Sequence, residues 1–146
     1  MSTAVNPLGQ TTNNGSQIIS VNAAQAATTP ITLSLAQSGS IISLTSGYAA
    51  ALTINLPAPA TAAGFTCKFV VNTTLAAFAV IITSPTANTM CLSSINNATP
   101  AVGAIGASTG FGASTAKGAS IDISCDGTNY YAVGRTLSAA GSITNA

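Results

Sequence analysis

The chain has 146 residues, of which 47% are apolar and only 3% charged, against roughly a quarter charged in ordinary domains, and its net charge is +1. That length suits one domain with a sizeable core, while three cations, Lys68, Lys117 and Arg135, are too few for the phosphate contacts of ordinary nucleic-acid binding. With no His, no Glu and two aspartates, Asp122 and Asp126, general acid–base chemistry has almost no material, so neither an enzyme nor a cofactor is expected.

Residues 1–29 are polar and Ala-rich, and only "QIISV" (17–21) has the look of a strand, so the segment reads as an extended arm. It has no basic stretch followed by an apolar one, hence no expected secretory signal. From Pro30 the pattern alternates at period two. "ITLSL" puts Ile31, Leu33 and Leu35 on one face, and "LTINL" does the same with Leu52, Ile54 and Leu56. "FTCKFVV" turns Phe65, Cys67 and Phe69 inward and Thr66 and Lys68 outward. Such alternation means half-buried strands, and turn signals such as "QSGS", "TSGY", "LPAPA" and "SPTAN" punctuate them. The longest apolar run, around "FAVII" (78–82), is far short of the ~20 residues of a membrane helix.

Residues 96–118 are glycine-rich without sustained alternation and read as a long loop. "GFGASTAKG" within them invites a phosphate-loop reading, but the order Ala116-Lys117-Gly118 lacks the Gly-Lys-Ser/Thr that such a loop needs. A contact loop is the better expectation. Then "SIDISCDGTNYYAVG" (120–134) alternates again through Ile121 and Ile123 and turns at Asp126-Gly127. A two-residue turn would set Ile123 opposite Tyr130; a four-residue loop moves the pairing by two and keeps the same faces. The hairpin thus accounts for Asp126 without chemistry, and Asp122 on the outward face could pair with Arg135 or Lys117. Phe65, Phe69, Phe78, Ile121, Ile123 and Tyr130 are the expected core.

Cys67, Cys91 and Cys125 have no C-x-x-C spacing, so no metal site is expected; buried reduced thiols, or one disulfide with a leftover thiol, both fit. Three N-x-S/T sequons, at Asn14, Asn72 and Asn97, carry little weight in so Ser/Thr-rich a chain. Thr-rich strands without a constant repeat do not make an ice-binding ladder.

The expected architecture is all-β: an antiparallel, jelly-roll-like β-sandwich of about eight short strands over 30–146, preceded by the arm 1–29 and ending in a short tail, 136–146. Sandwich and barrel both give the same alternation. Residues 31–134 resemble a small β-domain of virion proteins of tailed bacteriophages and large DNA viruses. The matching stretches are "LSLAQSGSIISLTSG", "LTINLPAPATAAGFTCKFVVN", "VIITSPTAN" and "GASIDISCDGTNYYAVG"; Tyr130-Tyr131 stands where the family often has Trp-Tyr. The resemblance implies a capsid decoration (cement) protein, head fibre or tail module, commonly trimeric, made in the host cytoplasm and bound to the major capsid protein or another virion protein. The three cations and the short apolar runs, in turn, lead to the expectation of no nucleic-acid partner and no membrane insertion. The alternative is a filament or fibre subunit joined by strand addition. Contacts are expected from the arm, the loop 96–118 and the tail, with Tyr48, Phe111, Lys117, Tyr131 and Arg135 as contact residues. A glycan-binding fibre tip, which calls for exposed aromatics, ranks lower.

Overall fold

Wherever apolar and polar residues alternate, the backbone is extended. In the computed structural model, which describes residues 10–13, 16–22, 30–96, 99–136 and 143–145, the strands in chain order are β1 (Gln10–Asn13), β2 (Ser16–Val21), β3 (Ile31–Thr32), β4 (Ser40–Leu44), β5 (Leu52–Asn55), β6 (Thr66–Val71), β7 (Val80–Thr83), β8 (Met90–Asn96), β9 (Thr99–Gly106), β10 (Ser108–Phe111), β11 (Ser120–Cys125), β12 (Tyr130–Thr136) and β13 (Ile143–Asn145). The described residues contain no α-helix, only two 3-10 turns, Leu35–Gln37 and Pro59–Thr61. The protein is all-β.

The strands form an eight-stranded sheet, β1-β2-β4-β6-β11-β12-β8-β9, and a five-stranded sheet, β13-β10-β7-β5-β3. Both are mixed, and the thirteen described strands exceed the expected eight or so, which corrects both the antiparallel expectation and the strand number. β2, β4 and β6 run parallel in the large sheet, and β3, β5 and β7 run parallel in the small one. The chain therefore winds: each strand of one sheet is followed by a strand of the other before it returns beside its parallel neighbour. A parallel pair needs a long crossover, and here the crossover carries a strand of the opposite sheet. The later chain closes antiparallel pairs on this winding, β7 with β10 and β6 with β11, and β12 then lies parallel to β8.

Inward residues of both sheets join one core. Ile19, Ile42, Phe69, Ile121 and Tyr130 come from the large sheet, and Leu52, Ile54, Ile82 and Phe111 from the small one, all essentially inaccessible. Each such side chain contributes about 1.5–3 kcal/mol of transfer free energy. Phe65 packs edge-on against Tyr130, ring centroids 6.4 Å apart at 88°, and the Tyr130 hydroxyl donates to the Pro57 carbonyl at 2.8 Å.

Three expectations need correction. In the arm, "QIISV" is a strand as expected, β2, but it buries Ile19 and Val21 in the core and pairs with a further strand, β1; the rest of 1–29 lies outside the described residues apart from Asn22. The loop 96–118 contains β9 and β10, and one of its glycines, Gly110, serves close packing of backbones rather than a bend. A Cβ on Gly110 would sit 2.0 Å from the Val80 carbonyl oxygen of β7. In the core, Phe78 is 38% exposed because it falls in the bend before β7, and Leu35 is 52% exposed because the alternation breaks at a 3-10 turn. There the Ser34 hydroxyl accepts from the Ala36 amide and the Gln37 side chain accepts from the Ser34 amide. Of the tail, β13 pairs with β10 and buries Ile143, and residues 137–142 and 146 lie outside the described residues.

Candidate functional site

β11 and β12 form a hairpin with a four-residue loop: Cys125 faces Tyr130, Ile123 faces Ala132 and Ile121 faces Gly134. In the loop Asp126 acts as a turn clamp. Its Oδ1 accepts from the amides of Thr128 and Asn129, both at 2.7 Å, and its Oδ2 accepts from the Tyr131 hydroxyl at 2.8 Å. Its own amide donates to the Asn129 carbonyl, and Gly127 takes the left-handed φ of 96° that the turn requires. These donors, the Asn129 amide first, hold the Asp126 carboxyl below its usual range, while the bond to Asp126 pushes the Tyr131 phenol up. A carboxylate so stabilised in its ionised form is poorly suited to taking a proton.

The outer face of the large sheet is ordered in rows by the register. Ile18, Ile41, Lys68, Asp122, Val133 and Ser93 follow one another across β2, β4, β6, β11, β12 and β8. A parallel row runs Thr66, Ser124, Tyr131, Cys91 and Ile105. Asp122 pairs with Lys68, Nζ to Oδ1 3.3 Å, rather than with Arg135 or Lys117, because Lys68 lies directly opposite it. Both partners are about half exposed, so the pair contributes at most about 1 kcal/mol. Around it Ile105 (63%), Tyr131 (44%), Val133 (43%) and Ile18 (41%) stay open to solvent. A shallow depression of about 380 Å³ lies among Ser40, Thr66, Lys68, Asp122, Tyr131 and Val133.

A second, more enclosed cavity of about 490 Å³ lies between residues 116–120 and the end of β12. Lys117 and Arg135 both line it, with Ser120 and Thr136. Arg135 stands opposite Ser120 in the ladder. Lys117 sits on a turn held at several points: its amide donates to Thr74 Oγ1, the Gly118 amide to the Val71 carbonyl and the Thr115 hydroxyl to the Gly112 carbonyl.

The remaining predicted contact residues divide sharply. Tyr131 is on the open face, but Tyr48 and Phe111 are buried and have almost no surface to offer. Tyr48 is a latch: its hydroxyl donates to the Val21 carbonyl at 3.0 Å and accepts from the Thr45 amide, tying the ends of β2 and β4 together. Burial pushes its phenol up to about 12. The exposed Ile105 and Val133, on neighbouring rows, were missed by sequence reasoning; the alternation of β12 signals Val133, whereas Ile105 sits in the stretch read as loop.

All three cysteines are free thiols, Cys67 and Cys125 buried and Cys91 partly so. Burial, reinforced by the Asp122 charge, pushes the Cys67 thiol up to about 12. Among the described residues no three His, Cys, Asp or Glu side chains gather as a metal-ligand set, and no helix is long and apolar enough to cross a membrane. What these surfaces can do is bind: an open, mildly apolar sheet face and a cationic cavity. No protein-family model, curated protein or solved structure matches the chain.

Proposed function

We propose that this is a structural protein of a virus particle, made in the host cytoplasm, that decorates and reinforces a capsid surface as a homotrimer. Its two mixed sheets would then stack as a jelly-roll-like sandwich around the shared core. The observation that carries the reading is the outer face of the large sheet, where Ile18, Ile105, Tyr131 and Val133 are open around a single ion pair. Exposed apolar side chains on one sheet face favour association, and a net charge of +1 opposes it little. A ligand that binds only the assembled shell stabilises it by its differential affinity. Contacts through Ser, Thr and small apolar groups would depend little on salt.

A second reading, strand addition into a filament, draws on β9. It is an eight-residue strand at an edge of the large sheet, and such an edge presents unpaired backbone groups to an incoming strand.

Light scattering after size exclusion, over a dilution series, tests both. A trimer whose mass is constant on dilution is the expected result, and it is expected to co-sediment with the cognate empty capsid. Val133→Lys should shift it to monomer: the new charge lies opposite Asp122, which keeps the strand pairing favourable while making the face costly to bury. A trimer indifferent to Val133→Lys removes this face as the interface. Open-ended growth favours the filament, and a monomer that ignores capsids overturns both readings.

A further inference from the structure

The acidic side chains are few enough to account for one by one. Asp122 is matched by Lys68, and the Asp126 carboxylate is used by its turn. These are the only two acidic side chains in the chain, so none is left for Lys117 and Arg135. Yet those two cations, far apart in sequence and carried on different elements, line the same cavity. Bringing like charges to one concave site raises its potential for anions.

We propose that this cavity binds an anionic group, carboxylate, sulfate or phosphate, carried on a small hydroxylated body of the sugar-acid or sugar-ester class. The Arg135 guanidinium offers the planar fork that pairs with such oxyanions, and Lys117 adds a second charge. The volume, about 490 Å³, falls within the ~300–1,000 Å³ of small-molecule sites and exceeds what a bare ion needs. Of the rest of the lining, half-buried Ser120 and Ala116 place a hydroxyl and a methyl group beside the charges, while Ala119 and Thr136 are nearly inaccessible. The turn that presents Lys117 is already tied to Thr74 and Val71, so little ordering cost falls on binding. Two cations are too few for a polyanion such as nucleic acid. This assignment stands apart from the capsid reading and does not depend on it.

The test is a titration of the isotope-labelled full chain, followed by amide chemical shifts, with glucuronate, glucose 6-sulfate, glucose 6-phosphate, neutral glucose and inorganic sulfate. The expected result is saturable shifts at Gly118, Ala119, Ser120 and Thr136 with at least one acidic sugar and none with glucose. Lys117→Ala and Arg135→Ala should each weaken binding about tenfold, the loss of one charge-assisted contact, while Lys68→Ala leaves it unchanged. The same spectra report whether each variant is folded. A response to glucuronate alone assigns a carboxylate ligand, and a response to the esters alone assigns a sulfate or phosphate. Three results overturn the proposal: no saturable shift at these residues, shifts that survive both substitutions, or inorganic sulfate binding as tightly as every acidic sugar, which marks an adventitious ion only.

Discussion

Asp126 organises its turn with one side chain, because each carboxylate oxygen faces donors that the loop itself supplies: two amides on Oδ1 and the Tyr131 hydroxyl on Oδ2. Asp126→Ala removes all three bonds and is expected to lower the melting temperature at neutral pH. Asp126→Asn should lower it less, since the amide oxygen can still accept from Thr128 and Asn129. The pH dependence has a definite sign. The folded carboxyl lies below its ordinary value, so its contribution is complete above about pH 4 and fades as pH falls through the folded value. Calorimetry should therefore show wild type and Asp126→Ala separated at pH 7 and converging in acid; a constant gap would mean that the charge plays no part. The role of Asp126 was legible in "CDGTN", because Asp followed by Gly is turn chemistry. Tyr48 was not: nothing local says that its hydroxyl meets Val21, a residue distant in the chain. A side chain's inward or outward face follows from its neighbours, but what covers it depends on how the sheets are arranged.

At the scale of elements, glycine is the ambiguous letter. In "GASTGFG" it reads as loop, yet Gly110 is in the interior of β10, pressed on β7 so closely that a Cβ would meet the Val80 carbonyl oxygen at 2.0 Å and the Ile81 Cα at 3.1 Å. Those are backbone atoms and cannot step aside without opening the β7–β10 ladder. Gly134 on β12 is also crowded, but there the obstacle is the Ile143 side chain, whose Cδ1 would lie at 2.6 Å and can turn away. Gly110→Ala should cost at least ~3 kcal/mol, the upper end of overpacking, and Gly134→Ala roughly 1–2 kcal/mol. Denaturant unfolding of the two variants checks the order; equal losses would refute it. Strand direction hid in a similar way. In parallel sheets helices usually cover both faces and erase alternation. Here the crossovers are strands of the other sheet, the outer face stays open, and β4 and β6 keep the alternation usually associated with antiparallel strands. Period two therefore revealed some of the strands with their inner faces, β5, β6 and β11 among them, but left their order and direction open. For the candidate sites, Lys117 and Arg135 were legible as unusual residues, and the hairpin register already sets Arg135 opposite Ser120; their shared cavity was not, because the turn that carries Lys117 is held by Thr74 and Val71, distant in the chain.

For the whole molecule, a core that encloses titratable groups in a chain with few charges makes the alkaline limit the informative one. Cys67 is raised from its ordinary value near 9 to about 12, and Tyr48 from 10 to about 12, both mainly by burial; burial likewise raises Tyr130. For each group the folded value lies above the unfolded one. Its contribution is thus fully present below the unfolded value and is lost as pH rises towards the folded one. The loss is about 1.4 kcal/mol per pH unit per group. From pH 9 to 10 Cys67 dominates; above pH 10 the buried tyrosines join it and the slope steepens. Against a total stability on the order of 5–15 kcal/mol, Cys67 alone takes away roughly 4 kcal/mol by pH 12, and the tyrosines bring the sum into the range that unfolds a small domain. We expect urea unfolding under reducing conditions to give a flat stability from pH 6 to about 8.5, a shallow decline to about 10 and a steep one beyond. Cys67→Ala lowers the plateau by emptying core volume but should remove the shallow decline, so that the flat region extends to about pH 10. If the decline between 9 and 10 persists in Cys67→Ala, the thiol is not the group responsible, and the alkaline sensitivity belongs to the tyrosines alone.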